Sequence, residues 1–183
     1  MSDLRAKRRV RLIETAKAVF VAEGFRGATM EGIAAAAQMS KVTLYSYFPD
    51  KPALFDAVAE TVAHDLVANV NTQLDNIADP ADAVIAALTA KHMYVHSLVR
   101  TSQFAEDLFR AKDTVSAAHF KRADTAILNS IASRLSRNHD DSQERAALLL
   151  AASQGIANAT QSQDALCHRI AELKALLCHK SGS

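Results

Sequence analysis

QMSKVTLYSYFPDK, residues 38–51, is the stretch on which the reading of the whole N-terminal part turns. Strand-like alternation would place Val42, Leu44, Ser46 and Phe48 on one face and Thr43, Tyr45 and Tyr47 on the other, leaving a serine in the apolar row. No second run of this kind is available to pair with it. Helical spacing fits better. Ser40 becomes an N-cap, Leu44, Tyr47 and Phe48 fall at i, i+3 and i+4 facing inward, and Lys41, Val42, Tyr45 and Ser46 face outward. Pro49 then stops the helix.

The flanks supply two partners for this short helix. From Leu12 to Phe20 the apolar residues Leu12, Ile13, Ala16, Val19 and Phe20 recur at helical spacing, with Gly24 in a C-cap position. Thr29 then caps a short helix whose stripe is Met30, Ile33, Ala34 and Ala37. Two short helices across a tight turn, braced by a longer preceding one, form a helix-turn-helix, whose second helix enters the DNA major groove. On that reading Lys41 donates to phosphate or guanine, Val42 and Thr43 offer methyls to thymine, and tyrosine hydroxyls reach phosphate oxygens. Backbone amides at helix N-termini bind phosphate as well. The candidate DNA-contacting set is Thr29, Ser40, Lys41, Val42, Thr43, Tyr45, Ser46, Tyr47 and Lys51.

Composition agrees with an all-α chain. Of 183 residues 49% are apolar but only 5% aromatic, and five Gly and three Pro are too few to punctuate a sandwich or barrel. The net charge of +1 conceals an asymmetry: residues 1–51 carry nine Lys/Arg against five acids, and the remainder carries 12 against 15. Five of the nine cations lie in RAKRRVR, residues 5–11, a solvated terminal run or an arm for a polyanion. No stretch reaches the ~20 apolar residues of a membrane span, and Glu14 and Lys17 spoil a signal-peptide core, so the expected location is cytoplasmic. Cys167 and Cys178, about 16 Å apart along a helix, are too far apart for an intrachain disulfide. No glycine-rich phosphate loop, nucleophile elbow or paired-carboxylate constellation points to an enzyme, and no cofactor is implied.

Beyond residue 50 the pattern stays helical. Asp50 caps a fourth helix running to about Ile77, DPAD at 79–82 breaks the chain, and a fifth helix follows. Segments near 101–111, 114–137, 142–161 and 163–179 read as four more, about nine in all. The expected division is a helix-turn-helix domain over 1–49 and a ligand-binding and dimerising body over 50–183. His92, Tyr94, His96, Phe104 and Phe120, with Phe109, are candidate lining for an effector pocket. His92 and His96, one turn apart, also have the spacing of a metal pair, so a metal-binding protein or metalloenzyme is the alternative, although no third ligand is assignable. Ala147, Ala151 and Gly155 form a small-residue seam and Leu166, Ile170, Leu173 and Leu177 an apolar stripe, which are candidates for a homodimer interface or for core.

TMEGIAAAAQMSKVTLYSYFPDKPALF, behind AKAVFVAEGFRGAT, resembles the DNA-binding domain of the tetracycline-repressor (TetR) family of bacterial transcriptional regulators. The resemblance covers roughly residues 12–57 and joins Ala16, Phe20, Gly24, Phe25, Thr29, Ile33-Ala34, Ser40, Thr43-Leu44-Tyr45, Tyr47-Phe48 and Lys51 at the family's spacing. Gln38 stands where the family usually has Gly, Val42 where a small residue is common, and Ser46 where an aromatic or His is frequent. The resemblance implies a three-helix reader, a connecting fourth helix, and a body ending in two helices that form a four-helix bundle with a partner subunit. It also implies a dimeric repressor that binds a palindromic double-stranded DNA operator and is released by a small-molecule effector.

Overall fold

The computed structural model of the chain describes residues 2–99, 115–136, 141–160 and 162–178. Its helices are α1 (Ser2–Gly27), α2 (Met30–Ala36), α3 (Lys41–Tyr47), α4 (Lys51–Asn76), α5 (Pro80–Val99), α6 (Val115–Leu135), α7 (Ser142–Ala159), α8 (Gln163–Glu172) and α9 (Ala175–Cys178). The fold is all-α, with no strand among the described residues. No helix among them is long and apolar enough to cross a membrane. The segment expected near 101–111, with Phe104 and Phe109, lies outside the described residues.

Capping chemistry sets the boundaries. The Thr29 hydroxyl accepts from the Gly32 amide at 3.0 Å, Ser40 from Thr43 at 3.1 Å, Asp50 from Ala53 at 2.8 Å and Asp79 from Asp82 at 2.8 Å, each satisfying an amide that the first turn leaves without a partner. Gly24 breaks the first helix where the sequence places a C-cap: it sits at φ 72°, ψ 170°, a region that only glycine occupies readily, and one further turn follows the kink. Two features differ from the sequence expectation. The basic run 5–11 forms the opening turns of α1. The last expected helix is broken, because Leu173 and Lys174 donate three residues back, to Ile170 and Ala171, and so tighten the turn between α8 and α9.

The described residues pack as two compact units, one drawn from Met1–His64 and Ser97–Lys121, the other from Asp65–His96 and Arg122–Ser183. Packing therefore divides inside α4. The expected boundary at residue 49 does not coincide with this division of the packing. In the first unit Leu12, Ala16, Phe20, Ile33, Leu44, Leu54 and Val58 are buried. Phe20, Phe25 and Phe55 form an aromatic knot, with Phe55 edge-on to Phe20 at 5.2 Å and to Phe25 at 4.9 Å between centroids. The core of the second unit includes Leu66, Val70, Leu74, Val84, Leu88, Ile127, Ile131, Leu135, Leu149, Leu166 and Ile170.

Candidate nucleic-acid interface

The turn between α2 and α3 is closed by main-chain bonds. Met39 N–H reaches Ala34 O at 2.9 Å and Gln38 N–H reaches Ala35 O at 3.0 Å, the paired bonds of a Schellman C-cap. That motif puts its residue after the cap in the left-handed region, and Gln38 sits there at φ 56°. A side chain costs about 1 kcal/mol in this conformation. Gln38→Gly is accordingly expected to stabilise the chain by up to about 1 kcal/mol, read as a rise in the urea midpoint with unchanged slope; a lower midpoint would show that the Gln38 side chain contributes more than its strain costs.

α3 projects from this turn with its two faces sorted as the sequence indicated. Leu44 and Phe48 are buried, while Val42 is 81% and Tyr45 46% exposed. Lys41 and Ser46 share the exposed row, Thr43 and Tyr47 are half-buried at its edges, and Thr29 is exposed. Several members of the candidate set also have local duties. The Ser40 hydroxyl caps α3 and lies 2.9 Å from Thr43 Oγ1, and the Ser46 hydroxyl donates to Thr43 O at 2.7 Å. These bonds tie Ser40, Thr43 and Ser46 to the helix's own turns.

Lys41 and Lys51 are placed very differently. Lys41 Nζ lies 2.8 Å from Glu31 Oε1 on α2, both side chains being more than half exposed. Hydrogen bonding and charge from Lys41 hold the Glu31 carboxyl below its ordinary range. A phosphate or base approaching Lys41 must therefore displace a carboxylate. Glu31→Gln is expected to raise DNA affinity several-fold and to flatten the gain on going to lower pH; unchanged affinity would mean that Lys41 makes no DNA contact. Lys51, counted from sequence among the DNA contacts, is instead turned inward. Its Nζ donates to Phe25 O at 2.7 Å and Ala28 O at 2.8 Å and lies 4.6 Å from the Phe25 ring centroid. With two of its three N–H groups so engaged, it ties the start of α4 to the end of α1.

The N-terminal run meets α3 from the side. Arg5 Cζ lies 5.6 Å from the Tyr47 ring centroid and Arg9 Cζ 5.2 Å from that of Phe48. Sequence reasoning read the run 5–11 as a solvated terminal run or a polyanion arm but singled out neither arginine among the DNA-contacting residues. Their spacing of four, which sets them on one helix face, was the available signal.

The second unit contains the other candidates, and it separates them. Residues two apart on a helix point about 200° apart, and Tyr94 accordingly diverges from its neighbours. Its hydroxyl donates to Asp65 Oδ2 at 3.1 Å, whereas His92 Nε2 meets Ser153 Oγ at 3.0 Å and His96 Nδ1 accepts from Gln163 Nε2 at 3.1 Å. These are ties to three different helices, not a convergent lining. Phe120 is half-buried in the first unit. His92 is buried beside the buried Lys91, and desolvation first, then the Lys91 charge, pushes its pKa down to about 4. Burial likewise lowers Lys91, an effect that Asp124 opposes. No group of three or more His, Cys, Asp or Glu suited to a metal occurs among the described residues.

The two candidate dimer stripes also part. Leu166, Ile170, Leu173 and Leu177 pack with the core of their own unit, so they are not the exposed surface that a partner would need. The polar face of α8, with His168 and Arg169, is the one turned outward. Ala147, Ala151 and Gly155 are exposed beside Leu148, which is 59% exposed, and a Cβ added at Gly155 would meet nothing within 4 Å.

Comparison with known proteins matches these features. Residues 12–58 fit the model of bacterial regulatory proteins of the tetR family. The HTH-type transcriptional activator FasR of Mycolicibacterium smegmatis is 36% identical over 86 residues, which are 47% of this chain and 39% of that protein, so the match spans well under half of the relative. Similar solved structures include a transcriptional regulator from Cytophaga hutchinsonii, 20% identical with a TM-score of 0.75 over 91% of this chain and 94% of that one. The fatty acid degradation regulator FadR from Bacillus halodurans is 15% identical, with a TM-score of 0.69 over 96% and 97%. Residues 12–58 thus match the DNA-binding part of the tetR family of bacterial regulatory proteins, and the chain shares the fold of solved transcriptional regulators along nearly its whole length.

Proposed function

We propose that the chain is a dimeric, ligand-responsive transcriptional repressor of the cytoplasm, with no enzymatic activity, in which residues 1–49 read a palindromic operator and residues 50–183 pair with a second copy and take up a small-molecule effector. The observation that carries this reading is the exposed row of α3, Lys41, Val42, Tyr45 and Ser46, set on a capped helix whose opposite face is buried. Base contact is assigned to Lys41, Val42, Thr43 and Tyr45, backbone contact to Thr29, Ser46 and Tyr47, and helix capping to Ser40. One α3 covers one half-site. A second copy about 34 Å away completes a palindrome, and the open face of α7 with Ala147, Leu148, Ala151 and Gly155 is the surface assigned to that pairing.

α4 is the assigned transmitter. Its 26 residues, about 39 Å of helix, run from the Lys51 brace in the first unit into the core of the second. An effector that favours a shifted α4 changes the spacing of the two readers, and a difference of about 1.4 kcal/mol between states already alters DNA affinity tenfold. The relative FasR is named an activator, which favours a second reading in which the same reader recruits rather than blocks transcription. A promoter-reporter assay separates the two: repression predicts higher output when the gene is deleted, activation lower. Sedimentation with a labelled operator duplex tests the dimer, expected as two chains per duplex; a single chain bound at saturation contradicts it.

A further inference from the structure

The groove beside α3, of about 340 Å³, is lined by Arg5, Ala6, Arg9 and Tyr47. We propose that Arg5 and Arg9 form a phosphate-binding extension of the reader that grips the DNA backbone at the flank of the surface presented by α3. The inference rests on the reading of α3 as the DNA-contacting helix and adds a site on α1.

Three observations carry it. First, the basic run is helical, so its cations are sorted by face. Arg5 and Arg9, one turn apart, lie together, while Lys7 and Arg11 fall on the opposite side of α1. Secondly, both guanidinium groups lie over rings that belong to the reader, Tyr47 at 5.6 Å and Phe48 at 5.2 Å. Attraction to a ring face uses the positive charge and restricts the long side chain, yet leaves planar N–H donors to meet a phosphate oxygen in pairs. Thirdly, Asp3 is directed elsewhere, its carboxylate lying 2.8 Å from Lys7 Nζ. The ligand class is a phosphodiester and not a base edge, because Tyr47 and Phe48 end α3, away from the outward row of Lys41, Val42 and Tyr45 that would lie along the groove floor.

The test is a salt series of binding constants for the full chain on a duplex selected by that chain and on an unrelated duplex. The Arg5→Ala/Arg9→Ala variant is expected to weaken binding to both duplexes by a common factor, on the order of 10- to 100-fold near 0.1 M salt, and to reduce the salt slope by about two per bound protomer. Lys7→Ala/Arg11→Ala removes the same charge from the other face and is expected to change the slope by less than one. An unchanged slope in the first variant, an equal loss in both variants, or an altered preference between the duplexes would overturn the proposal. Failure of the unmodified chain to bind either duplex would instead overturn the proposed function, and this inference with it.

Discussion

Phe20→Ala is expected to lower the stability of the DNA-reading unit by about 3–5 kcal/mol. Phe20 is fully buried and packs edge-on against Phe55 at 5.2 Å and near-parallel to Phe25 at 6.1 Å. These three rings join α1, the turn after Gly24 and the first turns of α4. Truncation removes most of a large apolar surface and leaves a cavity that flanking helices, held by caps and by the Lys51 brace, fill only in part. Domain stabilities are commonly 5–15 kcal/mol, so such a loss would leave a reader that is partly unfolded near body temperature and binds DNA poorly for that reason alone. Phe20→Leu should retain more than half of the stability. Urea unfolding followed by circular dichroism checks both variants, and a loss below about 1 kcal/mol for Phe20→Ala would contradict the role assigned to the aromatic knot.

Acidification is the second large effect. His92 has a folded pKa of about 4, below its ordinary value of 6.5, because burial and then the neighbouring Lys91 disfavour the imidazolium. Above pH 6.5 the group is neutral in both states and adds no pH dependence. Between about pH 6.5 and 4 the unfolded chain takes up a proton that the folded chain refuses, so stability falls as pH falls, by about 3 kcal/mol across the window. His92→Gln keeps a group able to bond Ser153 and removes the titration. The variant is expected to be less stable at pH 7 and to lose about 2 to 3 kcal/mol less than the unmodified chain between pH 7 and pH 4.5. Parallel pH profiles for the two proteins would contradict a buried neutral imidazole.

Much of the reader was legible in the sequence because its signals are local. Thr29 and Ser40 lie next to the helices they cap, Pro49 marks where α3 stops, and the spacing of Leu44 and Phe48 identifies the buried face. Gln38 was legible through the resemblance, since it stands where the family usually has Gly, and it does adopt the left-handed conformation. What escaped depended on which side chains meet across the fold. The partnership of Lys41 with Glu31, ten positions earlier, leaves no periodic trace, and the turn of Lys51 toward Phe25 and Ala28 requires the path of α1. In the body the apolar stripes show which faces are covered but not what covers them. Leu166 and Ile170 accordingly read equally well as interface or core, and His92, Tyr94 and His96 as pocket or helix tie.

The central claim is that the outer row of α3 contacts DNA, and Val42 gives it the cleanest test because 81% of its surface is exposed, so its replacement is expected to leave the fold intact. The measurement is the affinity of Val42→Asp for a duplex selected by the unmodified chain from random sequence, with urea unfolding as the control. A carboxylate at the groove surface meets phosphate charge and loses its water, so binding is expected to fall on the order of 100-fold with an unchanged unfolding midpoint. Unchanged binding by a folded Val42→Asp protein would contradict the account, since a side chain standing open in the middle of the outer row of α3 would then lie outside the DNA interface.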